Sequence, residues 1–361
     1  MEASSHSKTV LVTGANGFIA SHIINYLLQS DYKVIGTVRS LTKTQSYSHL
    51  YSLQPSKNSN LSFKQAHLDQ ENWDEIVKGC EFVIHTASPF PLKSPKTDAE
   101  IVNPVLKGIN RIVKACVKQK VKKIVYTSSL LTVFGGRNDK CDFSEEDWAN
   151  PKFISPYDKS KYYGEKEMWK LVLSSNSDLK LTVILPAFVI GPFHNEGNFS
   201  SAELVRKVMN NEFLGYPKDM LCLFVDVRDV ALAHVKALDN NKTDFKRYCL
   251  IGGSHPFSTI MSTLNEEFGK FGYRLPRFPF GKFWIRIASY FDRDLEFIMP
   301  FLGKERYIDN SRSIQDLGIS YTNTLDSLID MVYSLIDKQK LDNRINNRIM
   351  MNVMLEMYSK L

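Results

Sequence analysis

The segment SPYDKSKYYGEKEMWK (155–170) holds the spacing Tyr-x-x-x-Lys twice, as Tyr157 with Lys161 and as Tyr162 with Lys166. Residues four apart share a helix face, so each pair would set a phenol beside an ammonium. A phenol so placed can hand its proton to an alkoxide that develops when hydride reaches a carbonyl. A free phenol, with a pKa of about 10, is poorly matched to neutral pH, and lowering it by about 3 units takes roughly 4 kcal/mol. One ammonium about 4 Å away supplies about that much at an effective dielectric of about 20.

Position separates the pairs. Ser155 suits an N-cap, Pro156 the first helical position, and Asp158 completes a capping-box-like spacing. At about 100° per residue, Tyr162 is rotated roughly 140° from Tyr157, so only one pair can face a cleft. The helix start lies nearer the C-terminal edge of a parallel sheet, where ligands bind. Tyr157 and Lys161 are therefore the expected catalytic pair, with Tyr162 and Tyr163 in packing and Lys166 an exposed charge. A third donor should orient the carbonyl oxygen. The apolar run KKIVYTSS (122–129) closes in hydroxyls; Ser129 is the choice and Ser128 the alternative, although such hydroxyls can also cap the next element.

These side chains need a scaffold, and its periodicity is visible. Short apolar runs at 9–14, 33–39, 61–67, 81–87, 122–129 and 179–191 alternate with amphipathic stretches. Most runs are continuous, as for strands covered on both faces, and the alternation predicts an α/β fold with a doubly wound parallel sheet. Gly14 and Gly17 follow the first run and open FIASHIINYLLQS. That strand–turn–helix context lets backbone N–H groups approach a pyrophosphate. The second run ends in Arg39, with Lys43 a helical turn beyond, where an NAD site usually carries an acid. Two cations there suit a 2′-phosphate, so NADP(H) is expected over NAD(H); surface charge is the plainer reading of both. Asp69, after the third run, could bond adenine or cap a helix.

After residue 191 Gly, Pro and aromatics cluster. The expected division is a dinucleotide-binding domain over 1–191, with 223–253 returning to it. A substrate lobe would span 192–222 and 254–337, and a helical tail 338–361. The tail's Ile/Met stripe is expected to pack on its own fold in preference to a dimer or membrane-surface role.

The chain has 361 residues, 43% of them apolar and 24% charged, which fits a folded protein. A net charge of +7 is modest for this length, and the densest basic run, KACVKQKVKK, lacks interleaved aromatics. Nucleic acid is thus not expected. Five cysteines without paired or C-x-x-C spacing read as reduced thiols, and no His/Cys cluster has metal-ligand spacing. The start lacks a signal-peptide core, and the longest apolar run is too short to span a bilayer. A cytoplasmic monomer or homodimer acting on a small carbonyl molecule is expected.

Taken together, TGANGFIA, VRS with Lys43, HTASPF, YTSS, YDKSK, PAFVIGPF and DVRDVALAH resemble the extended short-chain dehydrogenase/reductases. The branch is the dihydroflavonol 4-reductase-like one, and the similarity is greatest to fungal NADPH-dependent aldehyde and ketone reductases of the methylglyoxal-reductase type. It spans roughly residues 9 to 320 and implies Ser129, Tyr157 and Lys161 as the catalytic triad. It also implies Gly14, Ala15, Asn16, Gly17, Phe18 and Ile19 at the diphosphate, Arg39 and Lys43 at the 2′-phosphate, and Asp69 at adenine. Thr86 and Ala87 would flank the cofactor, Pro186 and Val189 the nicotinamide, and Ser201 a phosphate. The plant flavonoid enzymes carry asparagine five residues after the catalytic serine, where this chain has Phe134. With Phe90 it would form an apolar wall suited to small carbonyl compounds, or both rings belong to the core.

Three rivals share parts of this pattern. A nucleotide-sugar epimerase or dehydratase usually keeps NAD through an acid at the place of Arg39. A 3β-hydroxysteroid dehydrogenase-like enzyme commonly does the same. A non-catalytic NADP(H)-sensing protein typically loses the tyrosine or the lysine, and both are present.

Overall fold

The computed structural model describes residues 7–53, 60–68, 72–88, 97–194, 197, 199–288 and 301–345. They form two compact units, one from 1–187, 227–251 and 306–321, the other from 188–226, 252–305 and 322–361.

The first unit is built on seven parallel strands. They are β1 (Thr9–Thr13), β2 (Lys33–Val38), β3 (Leu61–Gln65), β4 (Phe82–His85), β5 (Lys123–Thr127), β7 (Lys180–Pro186) and β11 (Lys246–Leu250), β6 being the short Asp142–Phe143. Their spatial order is β11-β7-β5-β4-β1-β2-β3. Order reverses between β1 and β4, which makes that edge the topological switch point of a doubly wound sheet. Strands covered on both faces need apolar side chains on both, and Val10, Leu11, Val12, Val83, Ile84, Ile124 and Val125 are all fully or nearly fully buried. Helices α1 (Phe18–Gln29), α3 (Asp98–Lys118), α5 (Pro156–Leu173) and α7 (Val227–Leu238) supply the covering layers, with α2 (Trp73–Val77) and α4 (Leu131–Phe134) short. α3 and α5 pack together through Gly164, where a Cβ would stand 2.9 Å from Val105 and 3.1 Å from the Tyr126 hydroxyl.

The second unit holds β8 (Phe188–Ile190), β10 (Leu221–Asp226) and β12 (Gly253–Pro256) in one small sheet, and β9 (Tyr216–Pro217) beside β13 (Pro279–Phe280) in another. Its described residues also form helices α6 (Ser200–Met209), α8 (Phe257–Phe268), α9 (Lys282–Ala288) and Thr324–Asp337.

Two expected boundaries differ. The run beginning at 223 does not return to the main sheet as a strand; β10 pairs in parallel with β8 and antiparallel with β12, so only α7 onward rejoins the first unit. Residues 306–321, assigned from the sequence to the substrate lobe, belong to the first unit. There Tyr307–Ile308 pairs with β6, and Asn310 Nδ2 donates to the Ile251 carbonyl at 2.7 Å. Asp316 also accepts from Lys246 and Tyr248 of β11. Backbone pairing and buried polar ties, which composition does not reveal, decide both. The tail's Ile/Met stripe lies outside the described residues. No described helix is long and apolar enough to cross a membrane.

Candidate active site

α5 begins as its sequence dictates. Ser155 accepts the Asp158 N–H on its hydroxyl at 3.2 Å, and Pro156 takes the first helical position. From this start Lys161 is carried into the interior and is buried. Desolvation pushes its ammonium down from 10.5 to about 8. The Tyr157 phenol is pushed well above its ordinary value, first by burial and then by the Asp158 carboxylate. Asp158 is itself raised to about 6 by burial, and its Oδ1 has no hydrogen-bond partner among the described residues. The expected lowering of the phenol by Lys161 is therefore not what this arrangement yields: burial dominates and moves the two groups in opposite directions.

The other pair, Tyr162 and Lys166, joins an aromatic cluster. The Tyr162 ring meets Trp148 edge-on at 5.8 Å and Tyr163 at 5.2 Å, and Lys166 Nζ sits 3.3 Å from the Trp148 ring centre. This is cation–π packing at a half-exposed face.

His85, within reach of the Lys161 charge, is a residue that sequence reasoning missed. His85 ends β4, stacks on Tyr126 at 5.6 Å and places Nδ1 2.8 Å from the Thr13 hydroxyl at the end of β1. That hydroxyl also accepts the N–H groups of Thr86 at 3.1 Å and Ala87 at 3.0 Å. With both lone pairs engaged, Thr13 gives its hydrogen to Nδ1, which fixes His85 as a neutral ring protonated on Nε2. Burial, with the nearby Lys161 charge second, holds His85 down at about 3.

The two candidate serines have different partners. Ser128 is buried and donates to Glu165 Oε2 at 2.7 Å. Glu165 lies one turn beyond Lys161 and receives Arg247 Nε at 2.6 Å and Trp169 Nε1 at 3.3 Å, with the Thr132 hydroxyl 2.8 Å away. Arg247 also donates to the Glu145 and Asp147 carbonyls at 2.6 and 2.7 Å. Ser129 is half-buried and its Oγ accepts the Leu131 N–H at 3.2 Å, so its hydrogen is available to a ligand. An acid four residues after the lysine was the readable signal for Glu165; nothing in sequence pointed to Arg247.

At the glycine turn, Gly14 adopts φ +68°, a left-handed conformation that favours glycine, and donates to Thr37 Oγ1 at 3.0 Å. A Cβ on Gly14 would stand 3.3 Å from that of Ala87, so the turn and Thr86–Ala87 are neighbours. Ala15 donates to the Thr37 carbonyl at 2.9 Å, and Gly17 to that of Gly14 at 2.8 Å. Gly17 caps α1 without a side-chain bond, and the N-terminal turn of a helix at a glycine loop is the kind of place an anion binds. Asn16 lies inside the same turn. Arg39 and Lys43 are exposed and make no ion pair with a described residue.

The remaining expected residues fall in both units. Pro186 is buried at the end of β7 in the first unit, whereas Val189 on β8 and Ser201 in the first turn of α6 belong to the second. Phe134 is in the core, 6.0 Å from the Phe143 ring with the Arg306 guanidinium 4.7 Å over its face, so packing, not a pocket wall, is its described environment. Asp69 and Phe90 lie outside the described residues. Among those described, no group of three or more His, Cys, Asp or Glu could hold a metal.

Comparison with known proteins places this geometry among relatives. The profile of the NAD dependent epimerase/dehydratase family matches residues 10–251. NADPH-dependent methylglyoxal reductase GRE2 of Saccharomyces cerevisiae is 30% identical over 285 residues, 72% of this chain and 82% of that protein. A bifunctional dihydroflavonol 4-reductase/flavanone 4-reductase of Pyrus communis is 36% identical over 285 residues, covering 75% and 79%. The crystal structure of yeast methylglyoxal/isovaleraldehyde reductase Gre2 complexed with NADPH matches with a TM-score of 0.75 at 26% identity, over 92% of this chain and 99% of that one.

Proposed function

This chain belongs to the NAD-dependent epimerase/dehydratase family, as an extended short-chain dehydrogenase/reductase, and from that premise we propose that it is an NADPH-dependent reductase of small aldehydes, ketones or α-dicarbonyls. The observation that carries the reading is the convergence at one sheet edge. In support of it, the Gly14 turn and Thr86–Ala87 are neighbours beyond the ends of the adjacent strands β1 and β4, Ser129 follows the next strand, β5, and the buried Lys161 charge acts on His85 at the end of β4.

The residues fit the cofactor. The start of α1 suits a diphosphate, and two exposed cations without ion-pair partners among the described residues, Arg39 and Lys43, suit a 2′-phosphate. NADPH, when bound, supplies hydride to the carbonyl carbon. Ser129 then donates its free hydrogen to the carbonyl oxygen and orients it, and Tyr157 delivers the proton that completes the alcohol. A phenol held above its ordinary value stays protonated at neutral pH and can still protonate an alkoxide, a far stronger base. Lys161 adds positive charge beside the developing oxyanion. The protonated phenol is the form that reduction needs.

The test is a carbonyl panel assayed for NADPH oxidation with two variants. Tyr157→Phe should cut kcat by roughly 100-fold or more while NADPH still binds; Tyr162→Phe should leave turnover nearly intact. Loss of turnover in Tyr162→Phe with retention in Tyr157→Phe would reject the assignment, and NADPH binding without turnover across the panel would favour a sensor.

A further inference from the structure

Around the β9–β13 pair the second unit exposes several large apolar side chains. Leu214 is 89% exposed, Phe283 69%, Phe278 68% and Trp284 61%. Single exposed apolar side chains need no explanation, but several in register do. These are held together by β9 and β13. Tyr216 N–H donates to the Phe278 carbonyl at 2.9 Å and Lys218 N–H to that of Phe280 at 3.1 Å. Gly215 lets the strands close: a Cβ there would stand 2.2 Å from the Phe278 carbonyl. Beyond Gly281, whose carbonyl accepts the Trp284 N–H at 3.0 Å, the Phe283 and Trp284 rings meet edge-to-face at 5.5 Å.

The charges nearest this surface are mostly basic. From Phe268 to Ala288 the chain carries Lys270, Arg274, Arg277, Lys282 and Arg286 and no carboxylate. Lys270 pairs with Glu267, whereas Arg274, Arg277 and Lys282 are exposed and have no ion-pair partner among the described residues. Lys218 stands beside Gly281, with Asp219 the carboxylate at the rim.

We propose that this face docks on the surface of an anionic phospholipid bilayer. Leu214, Phe278, Phe283 and Trp284 would enter the interfacial layer, and Lys218, Arg277 and Lys282 would meet the headgroups. Charge argues against a second copy of the chain as occupant, because a two-fold contact would bring two mostly basic copies of this surface together. The fully exposed aliphatic Leu214, and Ile287 at 40%, offer nothing to stacked bases, which argues against nucleic acid.

The full-length protein is tested by co-sedimentation with phosphatidylcholine vesicles, with and without phosphatidylserine. Retention should require phosphatidylserine and weaken with salt. Of the four tryptophans, Trp73 is buried, Trp148 and Trp169 are half-buried and Trp284 is exposed, so an emission blue-shift on vesicles should vanish in Trp284→Phe. Phe283→Ser with Trp284→Ser, and separately Arg277→Glu with Lys282→Glu, should each weaken retention by roughly tenfold or more at unchanged Tm and reductase activity. Wild-type protein indifferent to phosphatidylserine, or variants that bind as well as it does, would overturn the proposal. Retention on single-stranded nucleic acid but not on vesicles would overturn it too, as would a dimer that the same substitutions dissolve.

Discussion

Desolvation sets the protonation states at the candidate site, and it acts on Lys161 with a definite sign. The ammonium titrates at about 8 in the folded protein and at 10.5 without burial. Between those values the unfolded chain binds more protons, so stability rises with pH across that window. The contribution is present above 10.5 and lost as pH falls through about 8. In cofactor-free protein near neutral pH, Lys161→Met should therefore raise the unfolding free energy by on the order of 2–3 kcal/mol while turnover falls. The gain should shrink as pH approaches 10.5. Chemical denaturation across that range checks it, and a destabilised variant would contradict the burial argument. The same proton governs the chemistry: kcat for reduction should fall as pH rises through about 8, and a flat profile would remove Lys161 from the proposed mechanism.

At the scale of elements, α5 is tied to β11 and to the β5–α4 turn by one buried acid. Glu165 joins Ser128, Arg247 and Trp169, and Ser128 is the immediate neighbour of Ser129. Breaking one partner of a buried ion pair typically costs about 3–5 kcal/mol, whereas replacing both can be nearly neutral. Glu165→Gln should thus cost about that much and lower kcat by displacing Ser129. Glu165→Gln with Arg247→Met should regain most of the stability. Urea unfolding of Glu165→Gln, of Arg247→Met and of the pair gives the coupling energy; simple additivity would mean that the network does not act as a unit.

For the whole molecule, ligand linkage offers a test that needs no substrate. A ligand at about 100 times its Kd adds about 2.7 kcal/mol to stability, so NADPH should raise Tm more than equal NADH. Arg39→Asp should erase or invert that difference by removing one of the two cations proposed for the 2′-phosphate and adding repulsion. An unchanged NADPH/NADH ratio would reject the 2′-phosphate role of Arg39.

The strand runs, the α1 turn and the capped start of α5 are legible along the chain because periodicity, capping and glycine turns are set by residues a few positions apart. That is how the doubly wound sheet and the Tyr157–Lys161 spacing emerge from residues alone. Tertiary structure decided what those signals cannot carry. It engages Ser128 with Glu165 and leaves the Ser129 hydrogen free, through residues 37 and 82 positions apart. It joins Thr13 to His85 across 72 positions, sends β10 to the second unit, and raises the Tyr157 phenol where charge alone predicted lowering. Desolvation and partner choice depend on what folds over a group, and that is encoded in no local stretch.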